Sequence, residues 1–110
     1  MKILILLIGL VFISLCVQQE VDVEFPSTTT QYIIDACTRL CNSFKAYQNL
    51  SSGPCLGNPM SEYLDWVCDV AHSPRQSIDD LQENQCSAYR ERRTTHFVEV
   101  DMNCNLIRAV

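Results

Sequence analysis

Six cysteines between residues 37 and 104 constrain this chain more than any other feature. They are Cys37, Cys41, Cys55, Cys68, Cys86 and Cys104, separated by 3, 13, 12, 17 and 17 residues. Such density in a short chain means either a disulfide framework or a metal site. Zinc sites bring their ligands in close pairs, usually C-x2-C followed by a second pair. Here only Cys37 and Cys41 are close, and no C-x2-C occurs. The spacing therefore predicts three disulfides with connectivity open, since six cysteines allow about 15 pairings. Such bonds persist only in an oxidising compartment.

The N-terminus bears on the compartment. Lys2 is followed by an apolar run from Ile3 to Val17, in which only Gly9, Ser14 and Cys16 are not large hydrophobes. That run is shorter than the roughly 20 residues a membrane-spanning helix needs. A charged start with a short apolar centre is the pattern of a signal peptide. The expected organisation is a targeting segment at 1–16, a tether at 17–26 and a cysteine-rich domain at 27–110. The string Ser14-Leu15-Cys16-Val17-Gln18-Gln19 resembles the lipobox of archaeal and bacterial exported lipoproteins, departing from it at Leu15, where a small residue is usual. The resemblance implies that Cys16 is lipid-modified, which leaves an even six of the seven cysteines for pairing. Cleavage without lipid, or retention as an anchor, are the alternatives. The localisation expected is extracytoplasmic, on the outer face of the cell membrane, or else secreted.

Past the tether, Ser27–Thr30 offers helix caps, with Thr28-x-x-Gln31 matching a capping box. Ile33, Cys37, Leu40, Phe44 and Tyr47 recur at helical spacing, opposite Asp35, Arg39, Asn42 and Lys45. This predicts one amphipathic helix of about 20 residues. Cys37 and Cys41 share its apolar face, so each is expected to bond a different partner across the core. Asn49-Leu50-Ser51 is a glycosylation sequon, making Asn49 a candidate for modification in an exported protein.

From Leu64 to Val70 apolar residues alternate with Asp65, Val67 and Asp69, predicting a half-buried strand with an acidic outer face. Residues 71–85 read as a long polar loop with a turn at Ser73-Pro74, held between Cys68 and Cys86. A pinned loop of this length is a candidate binding surface, with His72, Arg75, Asp79 and Asp80 as its candidate residues. Arg90, Arg92 and Arg93 read as a solvated entry to a strand over Thr94–Asp101, and Leu106–Val110 as its hairpin partner. The fold expected is α+β, one long helix on a small antiparallel sheet.

The chemistry suggested by residue type is thin. Paired cysteines leave no thiolate for a Cys–His dyad, and Ser73 beside His72 lacks a nucleophile elbow. Asp69, His72, His96 and Glu99 are weighed as a metal or acid–base group, against separate structural roles for each. Net charge is −5, opposite to the basic footprint that nucleic-acid binding requires. No catalytic residue, resident metal or cofactor is assigned. The segments GPCLGN, CDVAHSPRQ, ENQCSAYRE and HFVEVDMNCNLIRA resemble a small group of uncharacterised exported archaeal proteins, which implies a compartment and no chemistry. The expected role is a non-enzymatic binding module tethered to the membrane, meeting an unknown protein or small ligand and no nucleic acid. The alternative is a metal-binding or thiol-redox protein using Cys37 and Cys41 with a histidine.

Overall fold

The computed structural model describes residues 27–110; the expected targeting segment at 1–16, with Cys16, and the expected tether at 17–26 lie outside the described residues. Helix α1 runs Thr28–Lys45. Strands β1 (Cys55–Gly57) and β2 (Trp66–Val70) follow. Two 3-10 turns, Ser77–Asp80 and Gln82–Asn84, and a helical turn α2 (Ser87–Arg90) lead to β3 (His96–Val100) and β4 (Leu106–Ala109).

The start of α1 is set by Ser27, whose Oγ accepts a hydrogen bond from the Thr30 amide at 3.1 Å. Ser27, the first of the expected cap candidates, is therefore the cap, and the Thr28 box is not used. The helix also stops earlier than its apolar stripe suggests. The amides of Ala46, Tyr47 and Gln48 fold back onto the carbonyls of Ser43 and Phe44, tightening the last turn. Tyr47 consequently points out, 79% exposed, while Leu50 beyond it enters the core. Ile33, Ile34, Ala36, Cys37 and Cys41 form the buried face.

The sheet order is β1-β2-β3-β4. The outer pairs are antiparallel, but β2 and β3 are parallel, with Asp69 beside Glu99 and Val70 beside Val100. The sheet is thus mixed where an antiparallel one was expected. The reason lies in residues 71–95, which far exceed the dozen or so residues a parallel crossover needs. This connection crosses back over the sheet instead of reversing at its edge.

Strand alternation then creates two cores. Cys68 and Val70 of β2, with Val98 and Val100 of β3, pack against α1. Val67, on the opposite face, joins Cys86 and Ala88 of the crossover, with Cys55 and Phe97 against them. The predicted solvent-facing side of β2 is therefore covered.

Three disulfides bolt these layers together. Cys37–Cys68 ties α1 to β2, and Cys41–Cys104 ties α1 to the β3–β4 turn. Cys55–Cys86 ties β1 to the crossover on the other face. Cys37 and Cys41, one helical turn apart, do reach different partners. No helix among the described residues is long and apolar enough to cross a membrane.

Candidate functional site: a charged cleft under the crossover

The parallel and antiparallel registers align one residue from each strand. Cys55 of β1 lies opposite Asp69 of β2, Asp69 beside Glu99 of β3, and Glu99 opposite Arg108 of β4. This row crosses the sheet on the face away from α1. Its members Asp69, Glu99 and Arg108 form the floor of a cleft of about 280 Å³, walled by Arg75, Gln85, Cys86, Tyr89 and Arg90 and by Val67 and Phe97 of the sheet.

Glu99 is the anchor of the row. It is 5% exposed. Arg75 donates to its Oε2 from NH1 at 2.8 Å, and Arg108 donates to its Oε1 from Nε at 3.2 Å. A buried carboxylate is tolerated when both oxygens are met by charged donors. Arg75 also donates from Nε to Asp80 at 2.9 Å. The Glu99 and Asp80 carboxylates hold the Arg75 guanidinium in its charged form, with its pKa raised above an already high value.

Asp69 has no such partner. Its one hydrogen bond comes from the Val70 amide, 3.0 Å from Oδ1. Burial, and next to it the charge of neighbouring Glu99, push its pKa up to about 8. The cleft therefore contains a carboxyl group that is mostly uncharged at neutral pH beside one that is held by two guanidinium groups.

Of the four loop candidates, Asp79 behaves least as expected. Instead of being solvated it is 3% exposed. It organises the start of the crossover, with Oδ2 accepting from the amides of His72 and Gln76 and Oδ1 lying 2.9 Å from His72 Nδ1. Burial pushes Asp79 up, but the hydrogen bonds from Gln76 and His72 outweigh it and hold the carboxyl below its usual pKa. The backbone of Gly53 sits against this carboxylate; a Cβ there would approach Asp79 Oδ1 to 2.6 Å. His72 thus serves Asp79, Asp80 is an exposed partner of Arg75, and only Arg75 of the four lines the cleft.

The weighed group of Asp69, His72, His96 and Glu99 divides. Asp69 and Glu99 meet in the floor, whereas His96 stacks on Trp66 at 4.5 Å and its Nε2 lies 3.8 Å from Asp65. Cys37 and Cys41 are fully buried in disulfides to Cys68 and Cys104. Among the described residues, one set of three metal-ligand types lies close together, Cys55, Asp69 and Cys86, with ligand atoms within 4.8 Å. Both sulfurs are bonded to each other, so neither is the thiolate that metal ligation needs. Asn49 is exposed in the turn after α1, its Oδ1 accepting from the Ser51 amide at 2.7 Å.

Comparison with protein family models, curated proteins and solved structures finds no match to this chain. The cleft must be read on its own chemistry. Arg90, Arg108, Tyr89 and Phe97 are residues that sequence reasoning did not place there. Arg90 read as solvent-facing because α2, which turns it toward the sheet, is too short to show a period. Arg108 carried a usable signal: it is a lone cation in an apolar strand, in a hairpin whose other strand carries Glu99.

Proposed function

We propose that this chain is a non-enzymatic binding module working outside the cytoplasm, held at the outer membrane face by its N-terminal segment, and that its binding surface is the Asp69–Glu99–Arg108 cleft. The observation that carries this reading is the way the cleft is built. Its floor is a row of β-strand residues, and its wall is stapled to β1 by Cys55–Cys86. A rigid floor and a stapled wall provide preorganisation, which lowers the entropic cost of binding. The three disulfides are consistent with an oxidising compartment. The membrane tether rests on the apolar leader and the lipobox-like Cys16.

A binding role is favoured over catalysis because the buried carboxylate of the cleft is already committed to two arginines. Glu99 is held by two guanidinium groups, and no nucleophile stands beside a base. The metal or thiol-redox alternative needs free thiolates, whereas the six described cysteines are all paired. The test is a fragment screen on the oxidised, isotopically labelled full chain, read by amide chemical shifts. Saturable shifts should cluster on Val67, Asp69, Cys86, Phe97 and Glu99. Hits confined to the outer face of α1, or turnover of a fragment, would overturn the proposal.

A further inference from the structure

The donors of the cleft are not equally occupied. Arg75 spends its nitrogens on Asp80, Glu99 and the Asp79 carbonyl. Arg108 uses only Nε, toward Glu99. Its guanidinium lies over the Phe97 ring, 5.2 Å from the centroid, and its two terminal nitrogens have no partner among the described residues. The arginine is thus fixed from two sides with its fork unused. Arg90 adds a second cation, held only by a 3.4 Å bond to the Gln82 carbonyl and a 3.6 Å approach to Glu91. Tyr89 packs edge-on against Phe97 at 4.9 Å, and with Val67 these rings give the cleft an apolar side.

Taking the cleft as the binding surface, we infer that its ligand is a small carboxylate with an apolar body, the carboxylate paired with the Arg108 fork and the body against Phe97 and Tyr89. Arginine presents parallel N–H groups that match a carboxylate in two-point contact, and it does so best when the fork is already oriented. The size of the cleft, about 280 Å³, lies just below the usual range of roughly 300–1,000 Å³ for ligand pockets and suits a molecule of one ring. Charge agrees. With Asp69 mostly uncharged at neutral pH, the lining itself carries three guanidinium groups and Glu99, while Asp80 and Glu91 pair with Arg75 and Arg90 from outside it, in a chain of net charge −5.

The groups around Asp69 determine how binding responds to pH. Glu99 from β3 and Asp79 from the crossover oppose its ionisation, and Arg75 favours it. Arg108 from β4 and Arg90 and Tyr89 from α2 complete the cleft, while the Cys55–Cys86 disulfide contributes no charge. When Asp69 ionises above pH 8 it sets a second negative charge beside the bound carboxylate. Affinity for an anion should fall there, and affinity for a cation should rise.

The test uses benzoate on the oxidised full chain, followed by calorimetry and amide shifts, with benzyl alcohol, benzylamine, phenyl phosphate and calcium chloride in parallel. Benzoate should bind saturably and shift Phe97, Glu99 and Arg108. Replacing either Arg108→Gln or Arg90→Gln should weaken it, by about tenfold or more for Arg108, with a thermal melt confirming each fold. Arg39→Gln, on the far side of α1, should leave binding unchanged. Affinity should drop as pH passes 8, and Asp69→Asn should remove that drop. Equal or tighter binding of benzyl alcohol, benzylamine, phenyl phosphate or calcium would overturn the carboxylate assignment while leaving the cleft as the binding surface. Benzoate shifts located elsewhere, or unchanged affinity in both arginine variants, would overturn it too. A cleft that no fragment of any charge perturbs would sink the binding-surface reading as well.

Discussion

Asp69 shows how much one carboxyl group can be altered by its place in a row. It sits half-buried between a disulfide and a charged glutamate, and its pKa rises to about 8 from an ordinary value near 3.8. Between those two values the folded chain holds a proton that the unfolded chain releases. Stability from this group is therefore complete below about pH 4 and is lost progressively as pH climbs through 8. Asp79 works in the opposite sense. Its lowered pKa contributes stability above the unfolded carboxylate range, which disappears as pH falls below it. The expected result is a stability maximum near about pH 4, where both contributions are close to complete. Urea-denaturation midpoints across pH 4–9 should decline for the wild-type chain by the equivalent of a few kcal/mol. They should be nearly flat for Asp69→Asn. A wild-type profile that rises over this window would show that Asp69 is ionised in the fold. The sequence supplied Asp69 and Glu99 as alternating positions on two strands. Their adjacency came from the parallel register, which alternation alone does not specify.

The crossover 71–95 is the element that most separates expectation from structure. Its polar composition reads as a loop, and its length as a binding surface. What composition could not show is that one of its two consecutive aspartates turns inward. Asp79 is buried because local amides of His72 and Gln76 converge on it, and because Gly53, from the turn before β1, leaves room for it. That pairing joins two segments far apart in sequence, whereas Asp80, next in the chain, remains in solvent with Arg75. Two substitutions probe the same contact from opposite sides. Asp79→Ala leaves three donors unpaired under the crossover and should cost about 2–4 kcal/mol. Gly53→Ala drives a methyl into the carboxylate at a backbone φ of +69° and should cost about as much. Both should speed hydrogen exchange at His72 and Gln76 more than at Cys68 or Val98. Uniform acceleration across the domain would mean that the crossover has no independent stability. The helix, by contrast, was legible because its apolar stripe and cysteines share one face. Its end was misjudged, since Tyr47 continues the period past the point where backbone bonds to Ser43 and Phe44 close the helix.

At the scale of the whole molecule, the three disulfides divide the work between the two faces of the sheet. Two of them, spanning 31 and 63 residues, fasten α1 to β2 and to the β3–β4 turn. The third, also spanning 31 residues, fastens β1 to the crossover. In the chain-entropy description, loops of these lengths stabilise by roughly 3.5–4.5 kcal/mol each. A domain below about 100 residues has a net margin of only a few kcal/mol from its core. Full reduction should therefore unfold the chain, and the melt in reductant should lose cooperativity. The individual bonds should not be equivalent. Removing Cys37–Cys68 or Cys41–Cys104 as an alanine pair takes two fully buried sulfurs out of the α1 core. It should abolish the cooperative transition or lower it steeply. Removing Cys55–Cys86 touches the smaller core of Val67 and Ala88. The α1–sheet core should survive, with a lower midpoint and faster exchange at Ala88 and Phe97. The same variant should lose affinity for the cleft's ligand, because the wall that carries Tyr89 and Arg90 is then no longer fastened to β1. If Cys55→Ala/Cys86→Ala unfolds the chain as completely as either of the other pairs, the two faces form one cooperative unit. The cleft would then be as rigid as the core beneath it.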